Sequence, residues 1–285
     1  MNKVFSLVLG FLAVSCANYG QLNYVTQLPE RLKENSGMAV IDSTGVWFIA
    51  DNGNKDVLYK VDKNGTLLKE LKVKDAKNKD WEDLANDKQG NVYIGDFGNN
   101  QNKRTGLVIY KVPNPSIEKG EKITAESIRF SYPEQTEFPP KKEQRHFDAE
   151  AFFYYKNALY IITKNRAEPF NGRAFIYKVP ATKGNYEATL VGSFITCQET
   201  SKCRVTAADI SPNGQTIALL GYGNLWVFTH FKWDDFSKGK MQTIDLKSKT
   251  QLEALSFINN KTLLLSDEKM GPTGRNLYSY TLDLE

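Results

Sequence analysis

Glu82, Asp83, Glu150, Asp209 and Glu253 are the side chains whose chemistry most needs an explanation. They stand at the starts of short apolar segments: EDLAN from Glu82, EAFFY from Glu150, ADISP from Ala208 and EALSF from Glu253. SGMAV from Ser36 supplies a fifth, uncharged member. Carboxylates gathered within several ångströms of one another repel, and each raises the pKa of the next. Three arrangements offset this. The first is a bound cation, most simply Ca²⁺, held by Glu82, Asp83, Glu150, Asp209 and Glu253 with carbonyl and water oxygens completing roughly six to eight ligands. Zinc fits less well, because the histidines are only His146 and His230, and Cys197 and Cys203 lack a second Cys/His pair. The second is a catalytic carboxylate pair, with Glu82 and Glu150 as candidates and one kept protonated as general acid. The third is structural: carboxylates accept backbone N–H groups at strand entries, or pair with Lys164, Arg104 and Arg166.

The elements that would bring these residues together repeat along the chain. Lys79 to Asn100 reads KDWEDLANDKQGNVYIGDFGNN, two apolar runs joined by a Gly/Asn turn. Paired antiparallel, they put Asp80, Glu82 and Asp83 at the same edge as Asp96. Similar second runs are VWFIAD at Val46, LYIITK at Leu159, IALLGY at Ile217 and LLLSDE at Leu263. Each leads to a third run of the LYKVD type at Leu58, Ile109, Ile176, Leu225 and Leu277. Fourth runs start at Thr66, Glu126, Ala188 and Met241, but the fifth copy ends at Glu285 without one. Gln21 to Thr26 can supply it. The fold expected is therefore all-β, a five-bladed β-propeller closed by an N-terminal strand, with six blades as the alternative. First strands line the axis of a propeller, so the acidic entries ring one mouth of the channel.

Second strands end at that mouth, which adds Asp96, Lys164, Tyr222 and Asp267 as ligand-binding candidates, with Asp148 just ahead of an entry. The loop GDFGNNQNKR, from Gly95 to Arg104, is expected to fold over the mouth and present Asn99, Asn100 and Arg104. Trp81, Phe97, Tyr222 and Phe170 flank the same face, where rings beside polar groups suit a glycan; Trp81 also reads as core. No Gly-x-Ser-x-Gly turn, phosphate loop or dinucleotide fingerprint is present, and His146 beside Phe147 reads as an inert loop residue.

The 285 residues carry a net charge of +4, too weak and scattered to indicate nucleic acid. Residues 1–18 read as an export signal: Lys3, then an apolar run from Val4 to Val14 too short to span a bilayer. Ser15-Cys16-Ala17 then resembles a bacterial lipobox with Cys16 as the lipidated residue, or else marks ordinary signal cleavage. Residues 19–285 would form a single domain. The remaining Cys197 and Cys203 read as a disulfide closing a short loop in an exported chain.

DWEDLA from Asp80, YIGDFGNN from Tyr93, DAEAF from Asp148 and TAADI from Thr206 resemble a group of secreted bacterial propeller-like proteins. More distantly, the acidic entries are similar to the SdiA-regulated and esterase-like phytase propellers. The second likeness implies metal and ester chemistry, but no dense basic cluster for a polyphosphate is evident. The reading expected is an exported or lipid-anchored monomer at the outer membrane or cell surface, or in the periplasm. Its acidic mouth would hold Ca²⁺ and bind a glycan, small molecule or surface protein. The alternative is a metal-dependent hydrolase acting on an ester, lactone or glycoside.

Overall fold

A computed structural model describes residues 19–233 and 235–284. They form five sheets around one axis, each with four antiparallel strands, a five-bladed β-propeller. Blade 1 is built from Asn35–Asp42, Gly45–Ala50, Val57–Val61 and Leu67–Lys74; blade 2 from Trp81–Asn86, Val92–Asp96, Leu107–Val112 and Glu126–Ser131. Blade 3 comprises Asp148–Tyr155, Ala158–Lys164, Arg173–Pro180 and Thr189–Ile195; blade 4 comprises Val205–Ile210, Ile217–Gly221, Asn224–Thr229 and Lys240–Asp245. Blade 5 takes Leu252–Phe257, Thr262–Asp267 and Asn276–Thr281, and its fourth strand is Asn23–Gln27 from the other end of the chain. The ring therefore closes as the repeats imply, and no free edge is left at the seam.

Two further strands were not legible as repeats. Lys122–Thr124 and Gly184–Glu187 pair in parallel with the outer strands of blades 1 and 2. Each lies in the link to a later strand and covers the outer edge of the preceding blade.

Alternation along the strands explains the packing. Within blade 1, Phe48 faces blade 5 beside Met38 and Leu264, whereas Trp47 and Ile49 face blade 2 beside Leu84 and Ile94. The other blades repeat this, so an apolar wedge fills every gap between neighbours. Trp81 and Phe97 are fully buried in these wedges, which makes them core rather than ligand platforms.

Each inner strand skips one residue of its ladder with the second strand. The skipped residues are Ser36, Glu82, Glu150, Thr206 and Glu253. A bulge of this kind re-aims a side chain, and here it recurs at the same height in all five blades. Thr206, rather than Ala208, is thus the blade 4 member. That shift of two residues leaves Asp209 three residues past the bulge, away from the acidic mouth.

Cys197 and Cys203 form the expected disulfide, with Cα atoms 5.4 Å apart. Replacing both by alanine is expected to cost about 2 kcal/mol through the freed loop, read as a lower urea midpoint at unchanged slope. No helix among the described residues is long and apolar enough to cross a membrane. The proposed export signal and Cys16 lie outside the described residues.

Candidate metal centre at the channel mouth

The five bulged residues divide by chemistry. Ser36 Oγ donates to the Trp81 carbonyl of the next blade at 2.9 Å, and Thr206 Oγ1 donates to the Leu252 carbonyl at 2.9 Å. These hydroxyls tie neighbouring blades. Glu82, Glu150 and Glu253 fill the equivalent places in the other blades, and all three are buried.

Glu150 is neutralised by protein cations. Lys164 Nζ donates to its Oε2, and Arg166 reaches its Oε1 at 2.8 Å. Burial drives the Glu150 carboxyl upward, and these two cations oppose it. Burial opposes the charge on Lys164, but Glu150 and Glu253 outweigh it and raise the ammonium pKa. Arg166 also donates to Asp148 Oδ2 at 2.6 Å, while the Asn99 N–H donates to Asp148 Oδ1 at 2.6 Å. Lys164 further donates to the Tyr222 hydroxyl at 2.9 Å. Glu253 and Glu268 share the Gln251 amide, at 2.8 and 2.6 Å. Burial, then Glu253, pushes Glu268 up to about 8.

Glu82 is different. The residue is only 7% exposed, yet no hydrogen bond or ion pair reaches its carboxylate among the described residues. Oxygens of Glu82, Asp51 and Asp80 lie within 4.8 Å of one another, and a second such group joins Glu82 to Asp148 and Glu150. Asp51 comes from the end of a second strand and Asp80 from the residue before blade 2. Burial, followed by Glu150 and Asp51, pushes Glu82 well above the usual carboxylate range. Burial, then Asp51, pushes Asp80 up to about 7. A Cβ on Gly98 would overlap both the Glu82 and Asp80 carboxylates, so the absent side chain is what lets them converge. The donors are all hard oxygens and no His or Cys joins the group, which fits Ca²⁺.

The other expected site residues have structural tasks. Asp83 is fully buried and crosses the channel. Its Oδ1 accepts from Leu84 N–H at 2.8 Å, and its Oδ2 from Phe152 N–H at 3.1 Å and Ala208 N–H at 3.3 Å. Burial pushes this carboxyl up, and the three N–H groups pull it back. Gly37 makes room for the latch: a Cβ there would sit 2.6 Å from the Asp83 Cα. Asp209 makes a second latch lower in the channel, accepting from Ser256 Oγ at 3.1 Å, Phe257 N–H at 2.8 Å and Ile210 N–H at 2.7 Å. It faces a cavity of about 610 Å³ at the opposite mouth.

Asp267 points to its own blade, taking hydrogen bonds from Asn276 N–H at 2.6 Å and Tyr278 Oη at 2.8 Å. Asp96 receives Arg104 at 2.9 Å and Asp80 N–H at 3.0 Å, leaving its Oδ2 buried without a partner. Arg104 also donates to the carbonyls of Gly98 and Gly106. Asn99 is buried, donating to the Phe147 carbonyl at 3.1 Å and accepting from Arg104 N–H at 2.8 Å. The Gly/Asn loop is therefore laced to the segment before blade 3, and of its candidates only Asn100 remains exposed, against Arg166. Asp51, Asp80 and Arg166 complete the mouth although they were not among the expected ligands. Their positions at a second-strand end and just before or after a strand were the available signal.

No family model matches the chain, and no curated protein does. Among solved structures, a gluconolactonase from Xanthomonas campestris is similar at a TM-score of 0.47 and 11% identity, covering 87% of this chain and 72% of that one. The likeness is a distant one between propellers and carries no argument about chemistry.

Proposed function

We propose that this chain is an exported propeller whose mouth binds one divalent cation, most simply Ca²⁺, through Asp51, Asp80 and Glu82, and uses that cation to engage an external ligand. The observation that carries the reading is the unpartnered, buried Glu82 carboxylate beside two further carboxylates. Like charges held together away from water need a counter-charge. The neighbouring Glu150 already has two cations from the protein, whereas Glu82 has none. The cation would be held by three side-chain carboxylates, leaving coordination positions for water and ligand oxygens. Export draws support from the apolar run at Val4 to Val14 and from the Cys197–Cys203 disulfide. Lipidation at Cys16, and membership of the secreted bacterial propellers that DWEDLA and GDFGNN resemble, belong to the same proposal.

A hydrolase is the second reading, and Asp80 favours it. A carboxyl pushed to about 7 can donate or accept a proton at neutral pH. An ester, lactone or glycoside would then be the substrate, with Glu82 orienting it.

Protons compete with the metal, which gives the test. The folded Asp80 carboxyl keeps its proton up to about 7, against 3.8 for the unfolded group. Its stability contribution is thus full below the unfolded value and is lost as pH rises through about 7. A bound cation reverses that loss by taking the proton's place. Calorimetric titration with Ca²⁺ is expected to show affinity rising steadily from about pH 5 to pH 8, and Asp80→Asn is expected to weaken binding and flatten the rise. Ca²⁺ affinity that does not change over this range in the wild type would count against the site.

A further inference from the structure

The charges at the mouth are divided in space. Among the described residues Asp51, Asp80 and Glu82, from blades 1 and 2, make no ion pair, while the cations Lys164, Arg166 and Arg204 come from blades 3 and 4 and Arg104 of blade 2 is already paired with Asp96. Most of those cations are committed: Arg166 to Asp148 and Glu150, and Lys164 to Glu150 and Tyr222. Arg204 is the exception. It follows Cys203 directly and precedes the inner strand of blade 4, where Val205 pairs with Gly221. That register sets Arg204 across from Tyr222 at the rim. Among the described residues no carboxylate, carbonyl or hydroxyl accepts a hydrogen bond from its guanidinium, and its Nε is buried without a partner. The Phe170 ring lies against the guanidinium, 5.9 Å from its centroid. Burial and the nearby Arg166 disfavour the charge, and Tyr222, Glu150 and Asp148 offset them only in part. The buried, unpaired Nε–H costs free energy until an acceptor arrives. The guanidinium's planar fork and its aromatic platform suit a carboxylate or a phosphate.

We propose that Arg204 anchors the anionic group of the ligand, so that the mouth takes acidic molecules bearing a carboxylate or phosphate. The Arg204 contact stands on its own geometry. Only the second contact, from ligand oxygens to a cation at Asp51, Asp80 and Glu82, rests on the reading above.

The test is calorimetric titration of the Ca²⁺-loaded chain with succinate and, separately, with phenyl phosphate. At least one is expected to bind, and the one that does identifies the anion class. Arg204→Ala should weaken that binding about tenfold or more, Arg204→Lys should restore part of it, and both variants should keep wild-type Ca²⁺ affinity. Two results would overturn the proposal: neither anion binds the wild type, or Arg204→Ala binds as tightly as the wild type. The two readings fail separately. Anion binding that persists in EDTA and still falls in Arg204→Ala upholds Arg204 and removes the cation. Normal Ca²⁺ uptake without anion binding removes Arg204 alone.

Discussion

Replacing Asp83 by alanine is expected to destabilise the fold by about 4 kcal/mol. The carboxylate of this blade 2 residue accepts backbone N–H groups from blades 2, 3 and 4 in the dry centre of the channel. Its removal strands three buried donors, each costing about 1–3 kcal/mol. It also opens a void where Gly37 already lacks a side chain. Asparagine at the same place keeps the shape but turns amide hydrogens toward N–H donors, so an intermediate loss is expected. Urea unfolding reads both effects as a lower midpoint at unchanged slope. The folded fraction of Asp83→Ala should still take up Ca²⁺ with wild-type affinity. A loss below about 1 kcal/mol, or a loss of metal binding from the folded protein, would contradict the latch.

The adjacent Glu82 should behave in the opposite way. Glu82→Gln removes one charged donor from three, and Ca²⁺ affinity is expected to fall on the order of 100-fold, about 2.7 kcal/mol. The metal-free protein, however, should become more stable at neutral pH. Burial and Glu150 hold the Glu82 carboxyl well above its ordinary range, so its ionisation opposes folding as pH rises. A group that weakens the apo fold and strengthens with a ligand present is the signature of a functional residue. Thermal melts with EDTA and with Ca²⁺ would separate the two contributions. Equal melting shifts with Ca²⁺ in the wild type and Glu82→Gln would exclude Glu82 as a ligand.

The contrast between these neighbours shows what could be read from the residues and what could not. The blades were legible because second and third strands repeat with the same apolar pattern, and because a missing fourth strand had a match at Gln21 to Thr26. Glu82, Glu150 and Glu253 were aligned correctly because acidic residues mark the bulge in three blades. Blade 4 misled because side chains alternate with period two. Moving TAADI by two residues keeps every side chain on its face, so Ala208-Asp209 imitates the entry that Thr206-Ala207 occupies.

Which carboxylate meets a cation and which meets N–H groups depends on contacts between blades far apart in sequence. Asp83 of blade 2 reaches Ala208 of blade 4, for example, whereas Arg166 reaches Glu150 inside blade 3, 16 residues away. Asp267 and Asn99 looked available because strand ends and Gly/Asn loops often carry function. Instead, both are consumed by hydrogen bonds within the scaffold. Asp51 and Asp80 were placed at the right edge, but nothing in their local sequence distinguishes a ligand from a turn residue.

The acidic residues of the channel are therefore three systems. Asp83 and Asp209 latch blades across the channel. Asp148 and Glu150 are matched by Lys164 and Arg166. Asp51, Asp80 and Glu82 have no such match, and the functional proposal rests on them. The most direct measurement is anomalous X-ray diffraction from crystals soaked in Ca²⁺ or in a lanthanide that replaces it. One peak between the carboxylates of Asp51, Asp80 and Glu82 is the expected result. No peak there, or a peak at Asp83 or Asp209 instead, would contradict the account.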